Sequence, residues 1–137
     1  MRIGLLGLVA GLTMSALFAS GAAAQQAEIE GTISSQLEAF KADDFEEAFT
    51  FASPRLQRLF QNPQNFQRMV TESYPMVWRP EEIKYLEMRE AQGAFWQKVQ
   101  ITDANGFTHL LLYRMEQTEQ GWRIAGVQIL KVPGGTA

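Results

Sequence analysis

Apolar residues recur at helical spacing along the first half of the chain and in alternation along the second. Ile29, Ile33, Leu37 and Phe40 stand four, four and three residues apart, with Glu30, Ser34, Glu38 and Lys41 on the other side. This single apolar stripe predicts an amphipathic helix over residues 28–41. A second helix is predicted from Asp44, because Asp44 and Glu47 form an aspartate version of the capping box ahead of Phe45, Ala48, Phe49 and Ala52. Ser53-Pro54 and Asn62-Pro63 each place an N-cap residue before a proline at the first helical position. Leu56, Leu59 and Phe60 give the first of these helices an apolar face, and Phe66, Met69 and Val70 the second. Pro75 disfavours helix at Tyr74, so the helical half is expected to end there. The segment Tyr74-Pro75-Met76-Val77-Trp78-Arg79-Pro80, bracketed by two prolines, is expected to follow a fixed irregular path into the strands.

Ile83–Arg89 has the mixed pattern of an edge strand, and Gly93 marks a turn. In 94–102, Phe95, Val99 and Ile101 share one face with Gln97, while Trp96, Lys98 and Gln100 take the other. Asp103-Ala104-Asn105-Gly106 is a hairpin signal. In 107–117, Phe107, His109, Leu111, Tyr113 and Met115 share a face, and Leu110 and Leu112 make the opposite face apolar as well, which predicts a central strand. A turn at Glu119-Gln120-Gly121 leads to a last strand, 122–132. Its apolar phase slips between Ile124 and Val127, predicting a bulge at Ala125-Gly126. Helices first and a strand meander second give an α+β fold: N-terminal helices packed on a strongly curved antiparallel sheet of about four strands. The bend is expected at Gly126.

The N-terminus changes the picture of where such a domain works. Arg2 precedes an almost unbroken apolar run from Ile3 to Phe18, and Ala22-Ala23-Ala24 fits a signal-peptidase site. The run is shorter than the roughly 20 residues of a spanning helix and is interrupted by glycine. Residues 1–24 are therefore read as a signal peptide and 25–137 as one domain, periplasmic or secreted. The chain has no cysteine, so disulfides, thiolate metal sites and a lipid anchor on cysteine are excluded. With one histidine as well, a zinc site is not expected. Its formal charge is −3, with both signs interspersed. That argues against nucleic acid, which needs clustered Lys and Arg, and against an anionic membrane surface once the signal is removed.

Three blocks of the sequence are similar to a known family. They are Gln36-Leu37-Glu38-Ala39-Phe40 with Asp43-Asp44-Phe45 and Phe51-Ala52-Ser53-Pro54; Tyr74 through Pro80; and Gly121-Trp122-Arg123-Ile124-Ala125-Gly126-Val127-Gln128. Together they resemble an exported bacterial family of unknown function, similar in turn to the nuclear-transport-factor-2-like superfamily. The resemblance implies a cone-shaped α+β roll. It implies no activity, and no catalytic residue is carried over.

Candidate chemistry is sparse. His109 lies on the face predicted to line the cone. With Gln97 on the neighbouring strand and Tyr113 four residues on, it offers a set able to bind a carbonyl or carboxylate, or to serve an isomerase or dehydratase. The plainer and preferred reading is a structural histidine held by hydrogen bonds. Arg79 beside Trp78 offers a cationic lip for a carboxylate, against the preferred alternative of a tether to Glu81, Glu82 or a helix C-terminus. Asp43 and Asp44 are adjacent at a helix start, where capping is the ordinary role. Trp122 is expected in the core, and Trp96, on a polar face, is the candidate for a partner surface or homodimer. The sequence thus leads to a non-enzymatic exported domain. It would bind a small molecule in the cone through Gln97, His109, Tyr113, Trp78 and Arg79, or dock to an envelope protein, with no cofactor.

Overall fold

The structure, a computed structural model, describes residues 14–131. The start of the expected signal peptide and the Pro133-Gly134-Gly135 end lie outside the described residues. Five helices precede four strands: α1 (Met14–Lys41), α2 (Phe45–Thr50), α3 (Pro54–Phe60), α4 (Pro63–Ser73), α5 (Pro75–Trp78), β1 (Pro80–Ala91), β2 (Ala94–Asp103), β3 (Thr108–Thr118) and β4 (Gly121–Leu130). The strands form one antiparallel sheet in the order β1-β2-β3-β4. The α+β expectation therefore holds, with the helices lying against one face of the sheet.

The helix starts form for the predicted reasons. The backbone N–H of Glu47 donates to Asp44 Oδ1 (3.1 Å), that of Leu56 to Ser53 Oγ (3.3 Å) and that of Asn65 to Asn62 Oδ1 (2.8 Å). Each cap satisfies a donor that the first helical turn leaves unpaired. The stripe Ile29, Ile33, Leu37 and Phe40 is buried against Val99, Ile101, Leu111, Tyr113 and Met115 of the inner sheet face. Trp122 is core as expected. Its ring meets Phe95 edge-on at 5.2 Å, and its Nε1–H donates to Glu28 Oε1 (3.2 Å).

Several boundaries differ from the sequence reading. Helix α1 begins at Met14 rather than residue 28, although from residue 21 onward the first buried position is Ile29. The proline-bracketed segment is not wholly irregular. Pro75 serves as the first residue of a further helical turn, with Met76 and Val77 buried. A proline at that position loses no hydrogen bond, because its missing N–H would have been unpaired anyway. Strand β1 runs longer than predicted, and β3 starts one residue late, leaving Phe107 in the turn and 63% exposed.

The ladders shift register at three places, not one; the first is at the start of β1, where Pro80 pairs with Asp103 and Glu82 with Thr102, leaving Glu81 over. In β4, Arg114 pairs with Gly126 and Met115 with Ile124, so Ala125 is the extra residue, as the phase slip predicted. The bend does not draw on the conformational freedom of glycine, however. A Cβ on Gly126 would meet nothing within 4 Å, and its φ is not positive. Gly126→Ala is accordingly expected to leave stability unchanged or to raise it by up to about 1 kcal/mol. Chemical denaturation checks this, and a loss beyond that range would show that the bend needs glycine. The third shift is a bulge further along β1. Tyr85 pairs with Val99 and Met88 with Gln97, so Leu86 and Glu87 together oppose Lys98.

The bulge in β4 also directs part of the free sheet edge back to the helical layer. Ser53 N–H donates to Ile124 O (2.8 Å), and Ile124 N–H donates to Phe51 O (2.9 Å), forming a parallel bridge between Ala52 and Ile124.

Candidate functional site

A half-open cavity of about 400 Å³ lies between the helices and the inner sheet face. Helix α1 contributes Gln36 and Phe40, α3 contributes Leu56 and Phe60, and α4 contributes Phe66, Met69 and Val70. The sheet supplies Tyr113 from β3 and Ile124 and Val127 from β4. Phe66 organises the helical wall, with ring centroids 5.2 Å from Phe49, 5.7 Å from Phe60 and 5.9 Å from Phe40. Among the described residues the lining carries no charged side chain. Its polar members are Gln36, Ser73, Tyr74 and Tyr113.

Three of these have a hydrogen-bonding atom with no protein partner among the described residues; that of Ser73 belongs to an exposed residue open to water, and the other two are buried. Gln36 is almost fully buried, and its Nε2–H donates to Ala48 O (3.1 Å), which fixes the amide. Gln36 Oε1 and the Tyr113 hydroxyl have no hydrogen-bond partner among the described residues, yet neither is sealed off in the interior as Gln97 Oε1 is. Burial pushes the Tyr113 phenol well above its ordinary range, and the nearby Tyr85 and Tyr74 hydroxyls add to this. It is therefore a neutral donor at any physiological pH, not a base. The Tyr74 hydroxyl is already committed, donating to Val127 O (3.1 Å).

Of the side chains singled out in the sequence, Tyr113 lines the cavity and the other four do not. Gln97 is opposite Tyr113 in the sheet, but its amide closes the β1 bulge. Nε2–H donates to Leu86 O (2.9 Å) and Lys98 O (2.9 Å), with Glu87 O at 3.5 Å. A bulge leaves strand carbonyls without ladder partners, and a buried carbonyl needs one. His109 is four register pairs further along, opposite Ile101, and binds Asp103 Oδ2 at 2.8 Å. The histidine, glutamine and tyrosine are thus not brought to one point. Asp103 Oδ1 meanwhile accepts from Asn105 N–H (2.9 Å) and Phe107 N–H (3.0 Å), so the pair organises the β2–β3 turn.

The hydrogen bond from His109, followed by those from the Phe107 and Asn105 backbone, holds the Asp103 carboxyl below its ordinary value of 3.8. A depressed carboxyl stabilises the fold above the unfolded value and loses that contribution as pH falls through the folded one. Asp103→Asn is expected to melt below the parent at neutral pH, with the gap closing as the solution is acidified below 3.8. Thermal melts across that range decide it, and a gap independent of pH would refute it.

Trp78 and Arg79 meet at Asp43 instead of the cavity. Trp78 Nε1–H donates to Asp43 Oδ1 (2.9 Å), and Arg79 Nη2 binds Oδ1 (2.9 Å) and Oδ2 (3.2 Å) while stacking 4.5 Å from the Trp78 ring centre. Those bonds, that from Trp78 first, hold the Asp43 carboxyl below its ordinary value. Arg79 Nη1 also reaches Phe40 O at the end of α1 (3.4 Å). The guanidinium thus ties the crossover to the C-terminus of α1. Its acidic partner is Asp43, rather than Glu81 or Glu82, and Asp43 itself sits at φ 60° just past the helix. Trp96 is half-buried, with Arg114 over its ring at 5.9 Å and its Nε1–H donating to Ala91 O (3.3 Å).

Gln36 was not singled out as a site residue. The signal was its spacing: three residues after Ile33 and four before Phe40, it lies within the apolar stripe, where a glutamine needs a reason. Among the described residues no group of three His, Asp or Glu side chains is placed to hold a metal ion, and no helix is long and apolar enough to cross a membrane.

Comparison with known proteins gives a family and a distant structural likeness. A family profile described as Domain of unknown function (DUF4864) matches residues 22–137. The chain is similar to the crystal structure of an NTF-2-like protein of unknown function from Burkholderia xenovorans LB400. The two share 13% identity and a TM-score of 0.46, over 80% of this chain and 91% of that one. No curated protein matches.

Proposed function

The chain belongs to the DUF4864 family, a domain of unknown function, and from that premise we propose that it is a non-enzymatic exported domain that binds a small apolar molecule in its cone. The observation that carries this reading is the cavity of about 400 Å³, apolar in all but four of its lining residues. Its volume falls within the ~300–1,000 Å³ of small-molecule sites, which combine apolar walls with a few placed polar groups. General acid–base catalysis needs a group that titrates near the working pH. The titratable side chains of this lining are two tyrosines, and the one histidine is engaged at the far hairpin. In this reading the leader is cut after Ala24, where residues 21–24 are exposed.

Titration of the purified protein with the neutral fluorophore N-phenyl-1-naphthylamine tests the proposal. Saturable one-to-one binding is expected. It should be abolished by Leu56→Trp, which places an indole in the cavity wall, provided that variant melts like the parent. Absence of saturable binding, or binding untouched by a folded Leu56→Trp, would overturn it.

A further inference from the structure

The polar atoms of the cavity describe its ligand more closely than its volume does. We propose that the cone selects an uncharged alcohol: a molecule with an apolar body and one hydroxyl, held between the Tyr113 hydroxyl and Gln36 Oε1. This rests on the cavity being a binding site. Tyr113 and Gln36 reach the chamber from opposite layers, the sheet and α1. One is a neutral donor and the other an acceptor whose orientation is fixed by the bond to Ala48 O. No hydrogen bond joins them and both line the same cavity, so a group that reaches both has something to offer each.

A hydroxyl is the smallest group that accepts one hydrogen bond and donates another. An ether or ketone would satisfy Tyr113 and leave Gln36 Oε1 unpaired. A carboxylate would also leave it unpaired and would bury a charge where the lining has no Lys, Arg or His. Burying an unpaired charge is far more costly than leaving a neutral group unpaired. An ammonium would face the same absence of a counter-charge. Because pairing buried polar groups discriminates more sharply than apolar fit, these two atoms are the specificity determinants of the cone.

The test is displacement of N-phenyl-1-naphthylamine from the full chain by 1-decanol, decyl methyl ether, decanoate and decylamine, each kept below its aggregation limit. Decanol is expected to compete about tenfold better than the ether, with the two ions weaker still. Tyr113→Phe removes one oxygen and keeps the ring. It is expected to weaken decanol roughly 3–10-fold and to leave the fluorophore unaffected. Gln36→Leu should lower the decanol-to-ether ratio toward one. Its melting temperature shows whether loss of the bond to Ala48 has disturbed the fold, in which case Tyr113→Phe alone decides. Equal competition by decanoate, or an unchanged decanol affinity in Tyr113→Phe, would overturn the alcohol assignment and leave cavity binding intact. A parent that fails to bind the fluorophore would overturn both.

Discussion

Gln97→Glu is expected to destabilise the fold by about 3–5 kcal/mol at neutral pH, the largest effect of any isosteric change considered for this chain. The side chain is fully buried, and its Nε2–H serves Leu86 O and Lys98 O at 2.9 Å each. Glutamate keeps the shape but puts a carboxylate oxygen where those carbonyls need a donor. The contacts become repulsive, and a charge is held away from water. The buried carboxyl will bind a proton more tightly in the folded chain than in the unfolded one, where its pKa is about 4.3. A raised folded pKa means that the penalty is relieved below the unfolded value and grows as pH rises toward the folded value. Urea unfolding at about pH 4 and about pH 7 should therefore show a much larger deficit at the higher pH. Gln97→Met, which loses the donors without adding charge, should fall between parent and glutamate and show no such dependence. A glutamate variant within about 1 kcal/mol of the parent at neutral pH would mean that the amide does not hold the β1 bulge.

Phe40→Ala should cost about 3–5 kcal/mol. Phe40 is 1% exposed and packs at 5.7 Å from Phe45 and 5.9 Å from Phe66, joining α1 to α2 and α4. It also lines the cavity. Truncation therefore does not leave an isolated void that neighbours can collapse into; it enlarges a chamber that already exists. Poor collapse places the cost near the top of the range. The midpoint of urea unfolding should fall with little change in slope, and a drop equivalent to less than about 1 kcal/mol would show that the aromatic cluster is loosely packed.

Much of the fold could be read from local signals. The three caps at Asp44, Ser53 and Asn62, the stripe from Ile29 to Phe40 and the phase slip at Ala125 all depend on residues within one or two turns of each other. The β1 bulge was harder to read, because the slip of apolar phase from Ile83 and Tyr85 to Leu86 and Met88 passes for the mixed pattern of an edge strand. It becomes clear only when Gln97 is seen across the sheet bonded to Leu86 O. The same reason governs the candidate site. A lone buried glutamine reads equally as a ligand group or a structural clasp until the partner strand is placed. Tyr113 was legible because it sat on an apolar face. Gln36 was hidden inside a helical stripe that its neighbours already explained. Arg79 was expected to act as a tether, but its carboxylate partner lies 36 residues away, beyond local pattern.

The bridge between Ala52 and Ile124 sets an order of events during synthesis. The N–H of Ser53 and the carbonyl of Phe51 are made 72 positions (124 minus 52) before the strand that pairs with them. At about 5–20 residues per second, synthesis alone separates the two by roughly 4–14 s, wherever the chain then folds. Trp122 and Ile124 of the same strand are also core residues. The nascent helices thus lack both part of their apolar partner and their backbone clasp until the final strand emerges, and the domain should become protease-resistant only on release of its C-terminal strand.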